Sequence, residues 1–354
     1  MNLVIPMLGL TAHGGNRVLV AVANALVQSG HQCRVLAPGQ VPAMPFKFDP
    51  RVEVEFAGPQ VANKALRWLL FSAYLAVALR GRDVIANHFV TAVAARIAQL
   101  TSSARVVYLV QDIEYRFYRG ILRSVARWLC LWSYRLPLLL PANGYLEKEL
   151  QRHGVRPLPA LRLGVAAAFF SEPPAAGAKS FDVVYFLRRE PHKRIDRFQA
   201  IARLLLDSGV TIAGISQDEA LIKECAPSLT AAFRPADDHA LIAVLDQARL
   251  LLLTSEQEGF ALPPLEAMAR GLPAVMFPCG GPGEYARDGY NCVMVGDEST
   301  DTAAREILRL LRDGPCYGRL SANARATAAD FDFAPGLAAL IPRLENMLPE
   351  RRLQ

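Results

Sequence analysis

Short runs of consecutive apolar residues alternate along this chain with longer stretches in which apolar side chains recur every three or four positions. The first pattern reads as strands buried on both faces, the second as amphipathic helices. In the first half the runs fall at residues 2–8, 32–37, 83–86, 104–110 and 136–140, and helical spacing predicts helices over 15–29, 90–100, 117–134 and 145–153. Gly30 is placed to stop the first of these helices. Across residues 163–179 the periodicity dissolves into Pro, Gly and Ala, as at a domain boundary. A second alternation follows, with strands at 181–187, 211–215, 249–253, 274–277 and 292–295 and helices at 300–312, 317–329 and 334–348. The fold class expected is α/β: two Rossmann-like doubly wound domains, 1–165 and 177–333, facing a cleft. Ligands of such sheets bind outside the carboxyl ends of the strands, which makes the cleft the expected site.

Composition changes this picture in three ways. With 354 residues, 52% of them hydrophobic and 20% charged, the chain is long for one core and is not a disordered polymer. Its six cysteines form no C-x-x-C pair and no zinc spacing, so they read as free thiols of a reducing compartment. Residues 1–10 are apolar but lack a preceding basic region, which favours a first strand over a signal peptide, and no run reaches the length of a transmembrane helix. A cytoplasmic location follows, with a peripheral place on the inner face of the cell membrane as its variant. Charge is unevenly divided: residues 1–172 hold 19 Lys+Arg against 9 Asp+Glu, a net +10, and the remainder carries −4. A basic front half invites an anionic partner, although the Arg-rich composition is an alternative explanation.

Candidate chemistry concentrates after the strand at 249–253. Glu258 and Glu266 lie eight positions apart, bracketing Gly259, Phe260 and Ala261, and Pro263-Pro264 fits the first turn of a helix that Gly271 ends. Helix-start amides suit phosphate, and carboxylates accept hydrogen bonds from sugar hydroxyls. Ordinary capping plus a surface Glu is the plainer reading of the same residues. The stretch 258–273, Glu-Gly-Phe-Ala-Leu-Pro-Pro-Leu-Glu-Ala-Met-Ala-Arg-Gly-Leu-Pro, resembles the E-x7-E signature of retaining glycosyltransferases of family four, departing from it at Ala261, where the family usually has Gly.

The resemblance extends to other segments. Arg188-Arg189-Glu190-Pro191-His192-Lys193-Arg194 is similar to the family's G-R-L-x-x-x-K-G loop, with Arg189 and Arg194 in place of Leu and Gly. Residues 279–291, Cys-Gly-Gly-Pro-Gly-Glu-Tyr-Ala-Arg-Asp-Gly-Tyr-Asn, look like its G-G-x-x-E…D-G-x-N element, in which Glu284 reads as structural. His13-Gly14-Gly15-Asn16-Arg17 resembles its N-terminal Gly-Gly loop and lacks the G-x-G-x-x-G of dinucleotide binders. His88, closing Asp83-Val84-Ile85-Ala86-Asn87-His88, matches the second histidine of the family's D-V-V-H-x-H.

The resemblance implies a GT-B fold whose last helix, 334–348, returns to the first domain, and transfer of a hexosyl or deoxyhexosyl group from a nucleotide-diphosphate sugar with retention and without a protein nucleophile. It assigns the diphosphate to Arg188 and Lys193, the donor sugar to Glu258 and the ribose to Glu266. Gly14, Gly15, Gly259, Phe260 and Ala261 line the donor site, His88 lies near the reaction centre, and Asp112 is a weaker candidate on the acceptor side. Among the catalytic residues are then His88, Arg188, Lys193 and Glu258. No metal and no other cofactor is expected, the acceptor being a glycan or lipid-linked glycan of surface polysaccharide or lipopolysaccharide biosynthesis. Sugar-nucleotide epimerases, phosphorylases and non-catalytic sugar-nucleotide-binding scaffolds remain as alternatives; a nucleic-acid binder has no aromatic-rich recognition motif to support it. Arg116, Arg119, Arg123 and Arg127 recur at helical spacing among Ile121, Leu122, Val125, Trp128 and Trp132, which fits either an anionic membrane surface or a solvated helix face.

Overall fold

In the computed structural model, residues 1–10, 14–39, 47–58, 61, 63–172 and 179–349 are described. His13 and residues 173–178 of the expected interdomain segment lie outside them. The chain divides into two units, Met1–Leu163 with Ala334–Gln354, and Gly164–Phe333.

The first unit is built on a six-stranded parallel sheet: β1 (Asn2–Pro6), β2 (Gln32–Ala37), β3 (Glu53–Phe56), β4 (Asp83–Ala86), β5 (Arg105–Val110) and β6 (Leu138–Pro141), in the order β3-β2-β1-β4-β5-β6. The intervening helices are α1 (Gly14–Gln28), α2 (Lys64–Ala78), α3 (Phe89–Thr101), α4 (Gly120–Ser133) and α5 (Gly144–Arg152). Every residue of β4 is buried, the burial its apolar run requires. β3 was not foreseen from its sequence, because Glu-Val-Glu-Phe is a short, largely exposed edge strand with polar residues on alternate positions.

The second unit repeats that plan with β7 (Phe181–Phe186), β8 (Ile212–Ile215), β9 (Ala231–Phe233), β10 (Ala248–Leu253), β11 (Ala274–Met276) and β12 (Cys292–Met294), ordered β12-β11-β10-β7-β8-β9. Its helices are α6 (Ile195–Asp207), α7 (Glu219–Cys225), α8 (Asp238–Leu245), α9 (Leu262–Ala269), α10 (Thr300–Arg312) and α11 (Gly314–Ala329). Val183, Tyr185, Leu250 and Leu252 from β7 and β10 meet Phe198 and Ile201 of α6 in one core. Tyr185 stacks on Phe198 with ring centroids 3.8 Å apart. In both sheets the first strand of the unit pairs with the second on one side and the fourth on the other. The chain direction of winding reverses there, and a crevice opens at the strands' carboxyl ends.

The final helix, α12 (Phe333–Met347), makes its contacts with the first unit: Glu345 meets His31 at 3.1 Å and the Arg343 guanidinium donates to the carbonyls of Pro159 and Ala160. Gly336 lies so near the chain that a Cβ there would stand 2.2 Å from the Arg162 carbonyl oxygen.

The helix expected over 117–134 is shorter. A single 3-10 turn, Glu114–Phe117, precedes it, and α4 starts only at Gly120, whose φ of 57° breaks the periodicity. Arg116 is therefore not part of a four-arginine stripe. Its guanidinium turns inward to Tyr145 Oη (3.0 Å) and to the buried Glu149, which Arg152 also contacts.

Candidate functional site

The site of the second unit is assembled where β7 and β10 lie side by side. After β7 the chain runs through Arg188 to a 3-10 turn, Pro191–Lys193, and then enters α6 through Arg194, which adopts a left-handed conformation (φ 52°, ψ 55°). A second left-handed residue, Ala261 (φ 58°, ψ 89°), caps α9 after the loop that follows β10. Both are positions where the family pattern has glycine, and both bends are of the kind glycine adopts without a steric penalty.

Two hydroxyls fasten these loops together. Tyr185 Oη lies 2.8 Å from Thr254 Oγ1, which donates in turn to the Lys193 carbonyl at 2.9 Å, and the Glu256 amide donates to the His192 carbonyl at 2.8 Å. Lys193 is thereby held so that Nζ stands 2.8 Å from each carboxylate oxygen of Glu258. Glu258 is only 6% exposed, and Ser255 Oγ donates to its Oε1 at 2.6 Å. Ser255 was not singled out from sequence; its one signal is a position three residues before the first glutamate of the motif.

The backbone of Glu258 is clamped by its neighbour loop, its amide donating to the Cys279 carbonyl (2.7 Å) and its carbonyl accepting from Gly281 N–H (2.9 Å). A Cβ on Gly281 would lie 2.1 Å from the Gly259 carbonyl oxygen, so that close approach demands glycine. Tyr285 Oη donates to the Ala261 carbonyl at 2.6 Å, and its ring meets Phe260 edge-on. Asn291, fully buried, ties this loop to α11 by donating to the Tyr285 carbonyl and to Thr327 Oγ1. Glu284 is half-buried within the same 3-10 turn, Gly281–Glu284.

Glu266, on α9, is 4% exposed. Arg188 lies within electrostatic reach of Glu190, Glu266 and Glu258: burial draws the pKa of its guanidinium down while the three carboxylates push it back up. Burial, aided by Lys193, lowers His192 to about 4, so this imidazole is neutral at physiological pH. Arg189 takes no part in this arrangement; its guanidinium is paired on the surface with Asp218 (2.6 Å) and Glu224 (2.8 Å). Two cations and two buried carboxylates thus converge outside the carboxyl ends of adjacent parallel strands. Such a set can hold a diphosphate by its oxygens and a sugar by its hydroxyls.

The remaining candidates belong to the first unit. His88 is the N-cap of α3; its Nδ1 accepts from the Val90 amide at 3.2 Å, which leaves the proton of the neutral ring on Nε2. Burial lowers its pKa to about 4. Gly14 and Gly15 open α1, and a Cβ on Gly15 would come within 2.8 Å of Gln111 Oε1. Asp112 accepts from the Ile113 amide at 2.8 Å. Beside His88 lies a residue that sequence reasoning passed over. Glu114, 3% exposed, accepts at Oε1 from the Phe89 amide and from Tyr108 Oη, both at 3.3 Å, while its Oε2 is buried with no hydrogen-bond partner. Burial raises its pKa to about 8. Among the described residues no cluster of three or more His, Cys, Asp or Glu side chains has the arrangement of a metal site.

Comparison with known proteins finds a match for the second unit. Residues 169–327 match the family model described as glycosyl transferases group 1. A D-inositol 3-phosphate glycosyltransferase of Frankia alni is 31% identical over 152 residues, which make up 42% of this chain and 36% of that protein, so the match spans about a third of the relative's length. Among solved structures, Anabaena HepE in complex with UDP-glucose superposes with a TM-score of 0.75 at 18% identity, covering 98% of this chain and 100% of that one. WaaG, a glycosyltransferase involved in lipopolysaccharide biosynthesis, gives 0.70 at 16% identity, with 98% and 100% covered. At these identities the two structures establish the shared two-domain α/β fold.

Proposed function

We propose that this chain, whose residues 169–327 match the glycosyl transferases group 1, transfers a sugar from a nucleotide-diphosphate donor to a glycan or lipid-linked acceptor with retention of anomeric configuration. The pairing of Lys193 with Glu258, whose carboxylate also accepts from Ser255, outside β7 and β10 carries this reading. In it, Lys193 and Arg188 bind the diphosphate and stabilise the negative charge that grows as it leaves. Glu266 accepts hydrogen bonds from the ribose hydroxyls and Glu258 from those of the sugar; Gly259, Phe260 and Ala261 shape the donor site. His88, a neutral donor at Nε2, hydrogen-bonds a substrate oxygen near the reaction centre, with Gly14 and Gly15 allowing close approach of backbone to phosphate. Asp112 stands on the acceptor side.

Because the cations that balance the leaving group are side chains of this chain, transfer is expected to need no metal. HepE, crystallised with UDP-glucose, supports a uridine nucleotide as the first donor to try, and WaaG supports a lipopolysaccharide-type acceptor. The test is a screen of UDP-, GDP- and dTDP-sugars for thermal stabilisation, followed by transfer assays in the presence of a chelator and by NMR of the anomeric product. Lys193→Ala and Glu258→Gln should each lower turnover on the order of a hundredfold, as loss of transition-state charge stabilisation does. An inverted product, epimerised nucleotide without transfer, or wild-type turnover in both variants would refute the assignment.

A further inference from the structure

The outward surface of the first unit is unlike that of a solvated domain. Twelve large hydrophobic side chains are exposed among the described residues, and nine of them lie on α2, α3 and α4. Singly exposed apolar residues are ordinary, but a concentration on neighbouring elements marks an interaction surface. These helices do neighbour one another, α3 packing against both α2 and α4. Arg96 of α3 fixes the junction, donating to the Trp132 carbonyl at 2.7 Å with its guanidinium 4.5 Å over the indole ring.

On α4 the faces are sorted. Ala126, Cys130 and Ser133 are buried, whereas Ile121 (80% exposed), Val125 (52%) and Trp128 (66%) stand at i, i+4, i+7 on the outward side. Leu69 and Val77 of α2 are 67% and 68% exposed. An amphipathic helix of a soluble domain buries its apolar stripe against the core; here α4 turns one outward.

The charge that these helices themselves carry is of one sign. No Asp or Glu occurs anywhere in α2, α3 or α4. Arg123 and Arg127, both exposed, lie together on one side of the apolar stripe of α4, and the exposed Arg119 immediately precedes the helix. Aliphatic and tryptophan side chains rimmed by arginine suit the boundary between acyl chains and anionic headgroups, where long basic side chains reach the phosphates while the stripe enters the hydrocarbon edge. No helix among the described residues is long and apolar enough to cross a membrane.

We propose that the outward face of α2, α3 and α4 docks this protein on an anionic lipid bilayer, the apolar stripe of α4 entering the headgroup region and Arg119, Arg123 and Arg127 pairing with lipid phosphates. The proposal stands apart from sugar transfer, since none of these residues belongs to the donor site. Sedimentation of the whole protein with vesicles of phosphatidylcholine alone, and with vesicles in which roughly a third of the lipid is phosphatidylglycerol, tests it. Wild-type protein should partition to the anionic vesicles and stay in the supernatant with neutral ones. Replacing Arg119, Arg123 and Arg127 together by Gln should weaken partition on the order of a hundredfold, and replacing Ile121, Val125 and Trp128 by Ser by roughly tenfold or more. Unchanged melting temperatures show that both variants fold, as exposed positions allow. Equal partition of wild type to both vesicle types, wild-type partition by either variant, or concentration-dependent dimers that the Ser variant abolishes without any vesicle binding would overturn the proposal, the last by making this face an interface between copies of the chain.

Discussion

At the scale of single residues, Ala261 is the position most open to manipulation. Its left-handed backbone strains an L-residue by about 1–2 kcal/mol, part of which a glycine would give back through the greater entropy of the unfolded chain. Ala261→Gly should therefore raise stability by roughly 0.5–1 kcal/mol in denaturant titrations while preserving donor binding; a loss of stability would mean that the methyl group packs productively against its surroundings. Glu114 makes the opposite kind of claim. Its folded pKa of about 8 lies above the ordinary 4.5, so between those values the native state holds a proton that the unfolded chain releases. Its contribution to stability is fully present below 4.5 and is lost as pH rises towards 8. Glu114→Gln keeps the acceptor for the Phe89 amide and removes the titration, so the melting temperature of the variant should gain on wild type steadily across that window. A difference constant with pH would show that Glu114 does not titrate there.

Among elements, the junction of α8 and α9 hangs on one ion pair. Arg270, 2% exposed, donates from Nε and Nη2 to the two oxygens of Asp246, both at 2.8 Å, and from Nη1 to the carbonyls of Phe169 and Ser171. Arg270→Ala strands a buried carboxylate and two carbonyls, and should destabilise the second unit by about 3–5 kcal/mol in equilibrium unfolding, with Asp246→Leu recovering part of the loss. Elements of this kind differ in how far sequence reveals them. Strands such as β7 and β10 were legible because burial on both faces forces continuous apolar runs, and two parallel sheets, each short of one strand, follow from their alternation with helices. β3 and β9 escaped because short edge strands need no such run. The inward turn of Arg116 was hidden as well: periodicity reports phase, and the left-handed Gly120 resets the phase without leaving a mark on the apolar pattern. Within the candidate site, Glu258 and Glu266 drew notice as paired carboxylates in a glycine turn, whereas Tyr185 and Thr254, which fix Lys193 from 8 and 61 residues away, are ordinary strand and loop residues until the fold brings them together.

For the molecule as a whole, the two basic regions differ in where their counter-charges reside. Lys193 and Arg188 have buried carboxylates beside them, supplied by the same chain, while α2, α3 and α4 have none in their own sequence. A nucleotide arriving at the first region exchanges one anion for another, as on an ion-exchange resin already carrying its counter-ion; an anionic surface meeting the second faces helices that carry no carboxylate of their own. Ionic strength should therefore act on the two unequally. Between roughly 0.1 M and 1 M salt, as the screening length falls from about 10 Å to about 3 Å, vesicle partition should collapse while the nucleotide-induced rise in melting temperature changes little. Parallel losses would show that both regions bind by unshielded positive charge. The built-in counter-ion at Lys193 would thus make salt a selector, releasing the protein from a surface with its donor still bound.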